Sequence, residues 1–278
     1  MITLPGISIG YGSRTLVKDV SFTLAPGELV LLCGPNGSGK TSLLREIARR
    51  YPVECAMVPT RIPKLKGFTA RDFLRNSLFD RPHSSLEVID QALEALGLEA
   101  FATRDISTLS DGEFQKLCIA SGLVRRPSCL LLDEPTAFLD AENRILVVDC
   151  LRSLTRDSLG NPLAAHDQTA LPGSGQTGRP SPLTILFSSH DLHESAPRAS
   201  RIFAIAPDGT FHTGGVEVIR EAFPNLPPTS IFGEVVISEG GTSPKQGHGR
   251  TLMEKFEAIK TQPLQKPSSE AHDKEEYE

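Results

Sequence analysis

Eight residues, Gly34-Pro35-Asn36-Gly37-Ser38-Gly39-Lys40-Thr41, constrain this chain more than any other stretch of it. They follow the continuous apolar run Leu29–Cys33. They precede a helical pattern of Leu43, Leu44 and Ile47 that stops before Pro52. The spacing is G-x-x-x-x-G-K-[ST]. A triphosphate tail needs several backbone N–H groups converging on it, and side chains would block their approach. Gly34, Gly37 and Gly39 remove that block. The helix starting near Lys40 turns its positive end to the phosphates. Lys40 is placed to reach the β and γ phosphates, and the Thr41 hydroxyl to ligate Mg²⁺. An apolar run feeding such a loop reads as a strand buried on both faces of a parallel sheet.

Other segments agree with that architecture. Cys129–Leu132 and Leu183–Ser188 are further apolar runs of strand length. Strands alternating with helices imply an α/β fold with a parallel sheet. Ser84-Ser85-Leu86-Glu87 has capping-box spacing. It opens a helix with Val88, Ile89, Ala92, Leu93 and Leu96 on one face and Gly97 as its stop. A helix-rich stretch from about 68 to 126 interrupts the alternation. Cys129–Leu132 ends in Asp133-Glu134, an acidic pair at the carboxyl edge of the sheet, where the phosphates sit. It reads as a solvated turn or as a site. In the second reading Asp133 holds Mg²⁺ and Glu134 acts as general base or polarises an attacking water.

Composition narrows the class. No apolar run approaches the roughly 18 residues of a membrane span. The formal charge of −5 argues against a nucleic-acid partner held by bulk charge. The five cysteines contain no C-x-x-C and read as reduced, mostly buried thiols without a zinc site. Residues 1–6 show no basic and apolar leader pattern, so no secretory signal is expected. Eight of the 26 residues from 157 to 182 are Gly or Pro, which reads as a flexible insertion. Residues 236–278 are polar and end acidic, the pattern of a disordered tail, with a short helix possible at 252–260. One domain over 1–235 is expected, with a helical subdomain over about 61–126.

Leu109-Ser110-Asp111-Gly112-Glu113 comes before Leu130-Leu131-Leu132-Asp133-Glu134-Pro135-Thr136. With the glycine loop, and in that order, these motifs resemble the ATP-binding subunits of ABC transporters over residues 2–232. The resemblance implies a P-loop NTPase fold, with a RecA-like parallel sheet core and an inserted helical subdomain carrying the signature. It implies that Tyr11 stacks on adenine, although a surface tyrosine would read the same. Asp140 resembles the D-loop aspartate and also suits an N-cap. His190, in Ser188-Ser189-His190-Asp191, resembles the switch histidine at the γ-phosphate; a capped strand end is its plain alternative. The implied cofactors are ATP and Mg²⁺. Catalytic roles fall on Lys40, Glu134 and His190, metal binding on Thr41 and Asp133, and nucleotide binding on Tyr11, residues 34–41, Ser110, Gly112 and Asp140.

One phosphate loop and one signature per chain imply a head-to-tail homodimer, each ATP lying between the loop of one subunit and Ser110 and Gly112 of the other. Transmembrane permease subunits would be driven by it, with a substrate-binding protein as an indirect partner. The expected place is cytoplasmic, peripheral on the inner membrane face. Two departures bear on turnover. Asp111 and Glu113 replace a glycine and a glutamine of the usual signature; Ser110 and Glu113 make a capping box, and Asp111 would repel phosphate unless turned away. Thr60 stands where the family's Q-loop glutamine is expected, and the glycine-containing hairpin before it is missing. Leu109–Glu113, Pro135–Asp140 and Ala206–Gly214 are most similar to importer ATPases for iron–siderophore, haem or cobalamin. A weakly hydrolysing regulatory subunit and a non-transport member of the superfamily are the alternatives.

Overall fold

The computed structural model describes residues 2–12, 14–79, 86–156 and 182–226. The capping box proposed at Ser84, all of the 157–182 segment but Pro182, and the 236–278 tail lie outside the described residues.

Two long strands, β1 (Ile2–Tyr11) and β2 (Arg14–Leu24), pair antiparallel. They are followed by β3 (Leu29–Cys33), α1 (Lys40–Arg50) and β4 (Cys55–Val58). The helical stretch is α2 (Ala70–Asn76), α3 (Glu87–Ala95), two single 3₁₀ turns at Glu99–Phe101 and Ile106–Thr108, and α4 (Asp111–Leu123). Then come β5 (Cys129–Leu132), α5 (Ala141–Arg156), β6 (Thr184–Ser188), α6 (Leu192–Ser195), β7 (Arg201–Ile205), β8 (Phe211–Gly214) and α7 (Glu217–Ala222). The main sheet runs in the order β4-β5-β6-β3-β7-β8. Every neighbouring pair is parallel except β7 and β8. The parallel sheet foreseen from the sequence therefore carries one antiparallel edge strand, turned back at Asp208-Gly209.

The central strands are apolar at every position because both faces are covered. Val30, Leu32, Cys129 and Leu131 pack against α1 and the β1–β2 ribbon. Leu29, Leu31, Leu130 and Leu132 face the layer containing α4 and α5. α1 buries Leu43, Leu44 and Ile47, the stripe its periodicity announces. β6 begins at Thr184, one residue later than expected. α3 buries Val88, Ile89, Ala92 and Leu93, and Gly97 follows at φ +64°. A left-handed conformation at that point favours glycine. Only Tyr51–Glu54 separates α1 from β4, so the hairpin missing from the sequence is missing from the fold. The described cysteines are free thiols; burial pushes Cys33 up to about 12, which keeps it an inert core residue.

Carboxylates fix several helix starts. Thr69 and Asp72 form a reciprocal cap on α2, as Ser110 and Glu113 do on α4. The hydrogen bond from the Thr69 hydroxyl lowers the Asp72 carboxyl. The Gly67 N–H lowers Asp105, and the Ser110 N–H lowers Glu113. Arg49 and Arg50 hold Glu46 at about 2. Folded-state values below the unfolded ones give stability that is present above the ordinary carboxylate range and is lost as pH falls through the lowered values. The urea midpoint should therefore drop progressively between about pH 5 and pH 2. A flat midpoint would show that these contacts do not stabilise the fold.

Candidate active site

β3, β5 and β6 end side by side, and their carboxyl ends gather the reactive groups. The loop from β3 needs its glycines for more than ligand access. Gly37 sits at φ +77°. Gly39 caps α1 at φ +105°, and a Cβ there would lie 2.9 Å from Val17 Cγ2. At Gly34 a Cβ would lie 3.0 Å from the Ile205 carbonyl oxygen. Two of the three glycines thus seat the loop on β2 and β7.

Lys40, the first residue of α1, is 6% exposed and folds back into the loop. Its Nζ donates to the carbonyls of Gly34 at 2.9 Å and Pro35 at 3.2 Å. The same Nζ stands 3.8 Å from Glu134 Oε1. Thr41 Oγ1 donates to Asp133 Oδ2 at 2.9 Å. The buried Ser188 hydroxyl donates to Asp133 Oδ1 at 2.9 Å and accepts the Glu134 N–H at 2.8 Å. Glu134 is a non-glycine residue at φ +50°. Such a conformation costs on the order of 1–3 kcal/mol and persists where the surroundings over-determine it. Here Ser188 holds its N–H, and His190 Nδ1 lies 2.8 Å from its Oε2. A carboxylate only accepts, so Nδ1 carries the proton and donates it. The imidazole is 59% exposed, which leaves its far nitrogen open to a ligand.

The structure thus brings together Lys40, Thr41, Asp133, Glu134 and His190, and adds Ser188, which the sequence reading passed over. The signal was faint: a hydroxyl closing an apolar strand two residues before His190. Arg144 was missed as well. Its Nε donates to the Leu139 carbonyl and its Nη1 to Asp191 Oδ2, both at 2.8 Å, tying the segment before Asp140 to the segment after His190.

The remaining expected residues have their described contacts elsewhere. Tyr11 closes β1 opposite Arg14; its side chain is not among the described ones. Asp140 accepts the Asn143 N–H at 2.8 Å, so the N-cap part of its dual reading holds. Ser110 accepts the Glu113 N–H at 3.2 Å. Gly112 is buried on α4, and a Cβ there would lie 2.5 Å from Asn143 Oδ1. Arg61, next to Thr60, places its guanidinium 4.4 Å above the ring of Phe138, which is 62% exposed at φ +71°.

The Gly112 contact gives a test with a change of sign. Alanine in a helix gains up to about 1 kcal/mol over glycine. The Asn143 amide must move aside and give up its 3.1 Å hydrogen bond to Asp140, at a cost of about 1–2 kcal/mol. Gly112→Ala should lower stability in the native background and raise it in an Asn143→Ala background, both by urea unfolding. Destabilisation of equal size in the two backgrounds would remove Asn143 as the cause.

The group fits a magnesium nucleotide. Ser38 Oγ is buried in the loop without a hydrogen-bond partner. A phosphate oxygen would satisfy it. Thr41 and Asp133 present hard oxygen donors side by side, as Mg²⁺ prefers. Strand, glycine loop, helix and acidic strand end together define a P-loop nucleotide-binding site.

Comparison with known proteins agrees. The family model described as ABC transporter matches residues 17–137. The zinc import ATP-binding protein ZnuC of Roseobacter denitrificans is 36% identical over 219 residues, 74% of this chain and 75% of that protein. A Salmonella paratyphi A protein named for 2-aminoethylphosphonate import is 30% identical over 77% of this chain, which spans 58% of that relative's length. A nucleotide-free cassette from an ABC transporter superposes with a TM-score of 0.62 at 19% identity, over 82% of this chain and 96% of its own. A dimeric bacterial cassette superposes at 0.58 and 20% identity, over 78% and 99%. The chain belongs to the ATP-binding subunits of ABC transporters. It is an ATPase of that kind, and its fold is that of the cassettes. No described helix is long and apolar enough to cross a membrane.

Proposed function

We propose that this chain energises an importer, hydrolysing ATP at two sites shared between two copies. The observation that carries the catalytic part is the cluster of Lys40, Thr41, Asp133, Glu134 and His190 at the ends of β3, β5 and β6. Lys40 exchanges the Gly34 and Pro35 carbonyls for oxygens of the β and γ phosphates. The backbone N–H groups of residues 34–41 and the Ser38 hydroxyl cradle the phosphate tail. Thr41 and Asp133 hold Mg²⁺, which when bound offsets phosphate charge and orients the tail; Ser188 fixes the Asp133 carboxylate. Glu134 accepts a proton from, or polarises, the attacking water; the water oxygen bonds to the γ-phosphorus, the bond to the β–γ bridging oxygen breaks, and ADP and phosphate result. His190, as an imidazolium, keeps Nδ1–H on Glu134 and donates its far N–H to a γ-phosphate oxygen. Tyr11 supports the adenine.

Ser110 and Gly112 open α4, and the free N–H groups and dipole of a helix start suit a phosphate oxygen from the partner copy. The dimeric cassette of the same fold supports a paired form. ATP closes the pair, hydrolysis opens it, and the movement is passed to permease subunits in the membrane. The chain then sits at the cytoplasmic face of that membrane, and a substrate-binding protein delivers the cargo.

For the cargo, the iron–siderophore, haem or cobalamin expectation broadens to a metal, as ion or chelate. The zinc-import relative matches with higher identity and over more of its own length than the phosphonate one. Reconstitution in vesicles with the membrane protein that co-purifies with the chain tests both parts. ATP-driven accumulation of Zn²⁺ or of an iron or cobalt chelate is expected. Transport of an alkylphosphonate would overturn the cargo class, and outward pumping the direction.

A further inference from the structure

Asp111 is a carboxylate where a phosphate is to be received, and the fold answers it with a cation from a distant segment. Lys64 lies in the loop between β4 and α2. Its Nζ meets Asp111 Oδ1 at 2.7 Å and donates to the Leu109 carbonyl at 3.0 Å. The ammonium also stands 5.2 Å from the centre of the Phe114 ring. Lys64 is 27% exposed at its side chain and Asp111 is 72% exposed, so the pair forms a lip at the start of α4. The other acid of that first turn is already engaged: Glu113 Oε2 accepts the Ser110 N–H at 2.7 Å.

We propose that Lys64 is a positioning residue for hydrolysis: it neutralises and holds Asp111 so that the start of α4 keeps a net attraction for phosphate. The inference rests on the shared-site reading above. A helix start favours an anion. A carboxylate one residue past the cap takes that favour for itself and repels a second anion. Pairing with Lys64 cancels the repulsion and, through Leu109, fixes the backbone just before Ser110. The arrangement accounts for an acid at a signature position that is ordinarily glycine.

Lys64→Gln retains a donor for the Leu109 carbonyl and removes the charge. It should raise KM for ATP about tenfold in steady-state turnover of the full chain, the scale on which one unpaired carboxylate repels a nearby anion at an effective dielectric of about 20. Added salt should narrow the difference. MgATP binding to the isolated chain by calorimetry should stay within about twofold, since Lys64 is not in the phosphate loop. Lys64→Gln/Asp111→Asn should return KM to within about twofold of the native value. Lys64→Arg should keep it there. A double variant as impaired as Lys64→Gln, or a Lys64→Gln variant with native KM, would overturn the proposal. MgATP-induced pairing of Glu134→Gln chains tests the shared site separately. Pairing without rescue by Asp111→Asn condemns only the role of Lys64, and absence of pairing condemns the shared site.

Discussion

Glu134→Gln is expected to lower ATP turnover about 10³-fold and to leave MgATP binding within about threefold of native. The amide is nearly the same size, still accepts at one oxygen, and still receives the hydrogen bond from His190. It cannot take a proton from water, and its pull on the water's hydrogens is weaker than a carboxylate's. General acid–base groups contribute about 10²–10⁴-fold, so the loss falls within that range if Glu134 is the base. The fold should survive. The strained backbone at φ +50° is held through the Glu134 N–H and Ser188, neither of which the substitution touches. Loss of the 3.8 Å Lys40–Glu134 pair also favours binding, because Lys40 is then released to the phosphates. Single-turnover hydrolysis with calorimetry on the same sample checks both halves. Turnover within tenfold of native would remove Glu134 from catalysis.

Lys40→Ala is expected to raise the MgATP dissociation constant at least about 100-fold. Charge-assisted hydrogen bonds contribute about 1.5–3 kcal/mol each. Two of them to phosphate amount to about 3 kcal/mol, which is two orders of magnitude in affinity. The substitution leaves the Gly34 and Pro35 carbonyls without their donor and Glu134 without a neighbouring cation, so the empty site also becomes more repulsive to an anion. Alanine at the first position of α1 favours the helix, which keeps the variant folded and makes binding the cleaner readout. Affinity within twofold of native would mean that the loop amides alone hold the phosphates.

Much of this architecture is legible in the chain. β3 and β5 are the apolar runs read from the sequence, and α1 stops short of Pro52 as foreseen. The Ser110–Glu113 box opens α4 because its two partners lie three residues apart, a spacing that sequence displays. The β1–β2 ribbon is less legible. β1 contains Pro5, Gly6 and Gly10, and its pairing slips register between Leu4 and Ile7, between Ile7 and Ile9, and again before Gly10. Such a strand shows no clean alternation. β8 is an edge strand of only four residues with no buried position. The site divides in the same way. Lys40, Thr41, Asp133 and Glu134 belong to compact motifs. Ser188, Arg144 and Lys64 act on partners 55, 47 and 47 residues away, and nothing in local spacing announces them. Asp111 shows the cost of that blindness: from sequence it is a charge in the wrong place, and in the fold it is half of an ion pair.

The claim on which the rest depends is that hydrolysis needs two copies, each lending Ser110 and Gly112 to the other's nucleotide. Sedimentation of Glu134→Gln chains with and without MgATP tests it most directly. A dimer that forms only with MgATP, and is lost when Ser110→Arg is added while nucleotide binding persists, is the predicted result. A chain that binds MgATP at concentrations well above its dissociation constant yet sediments as a monomer would contradict it.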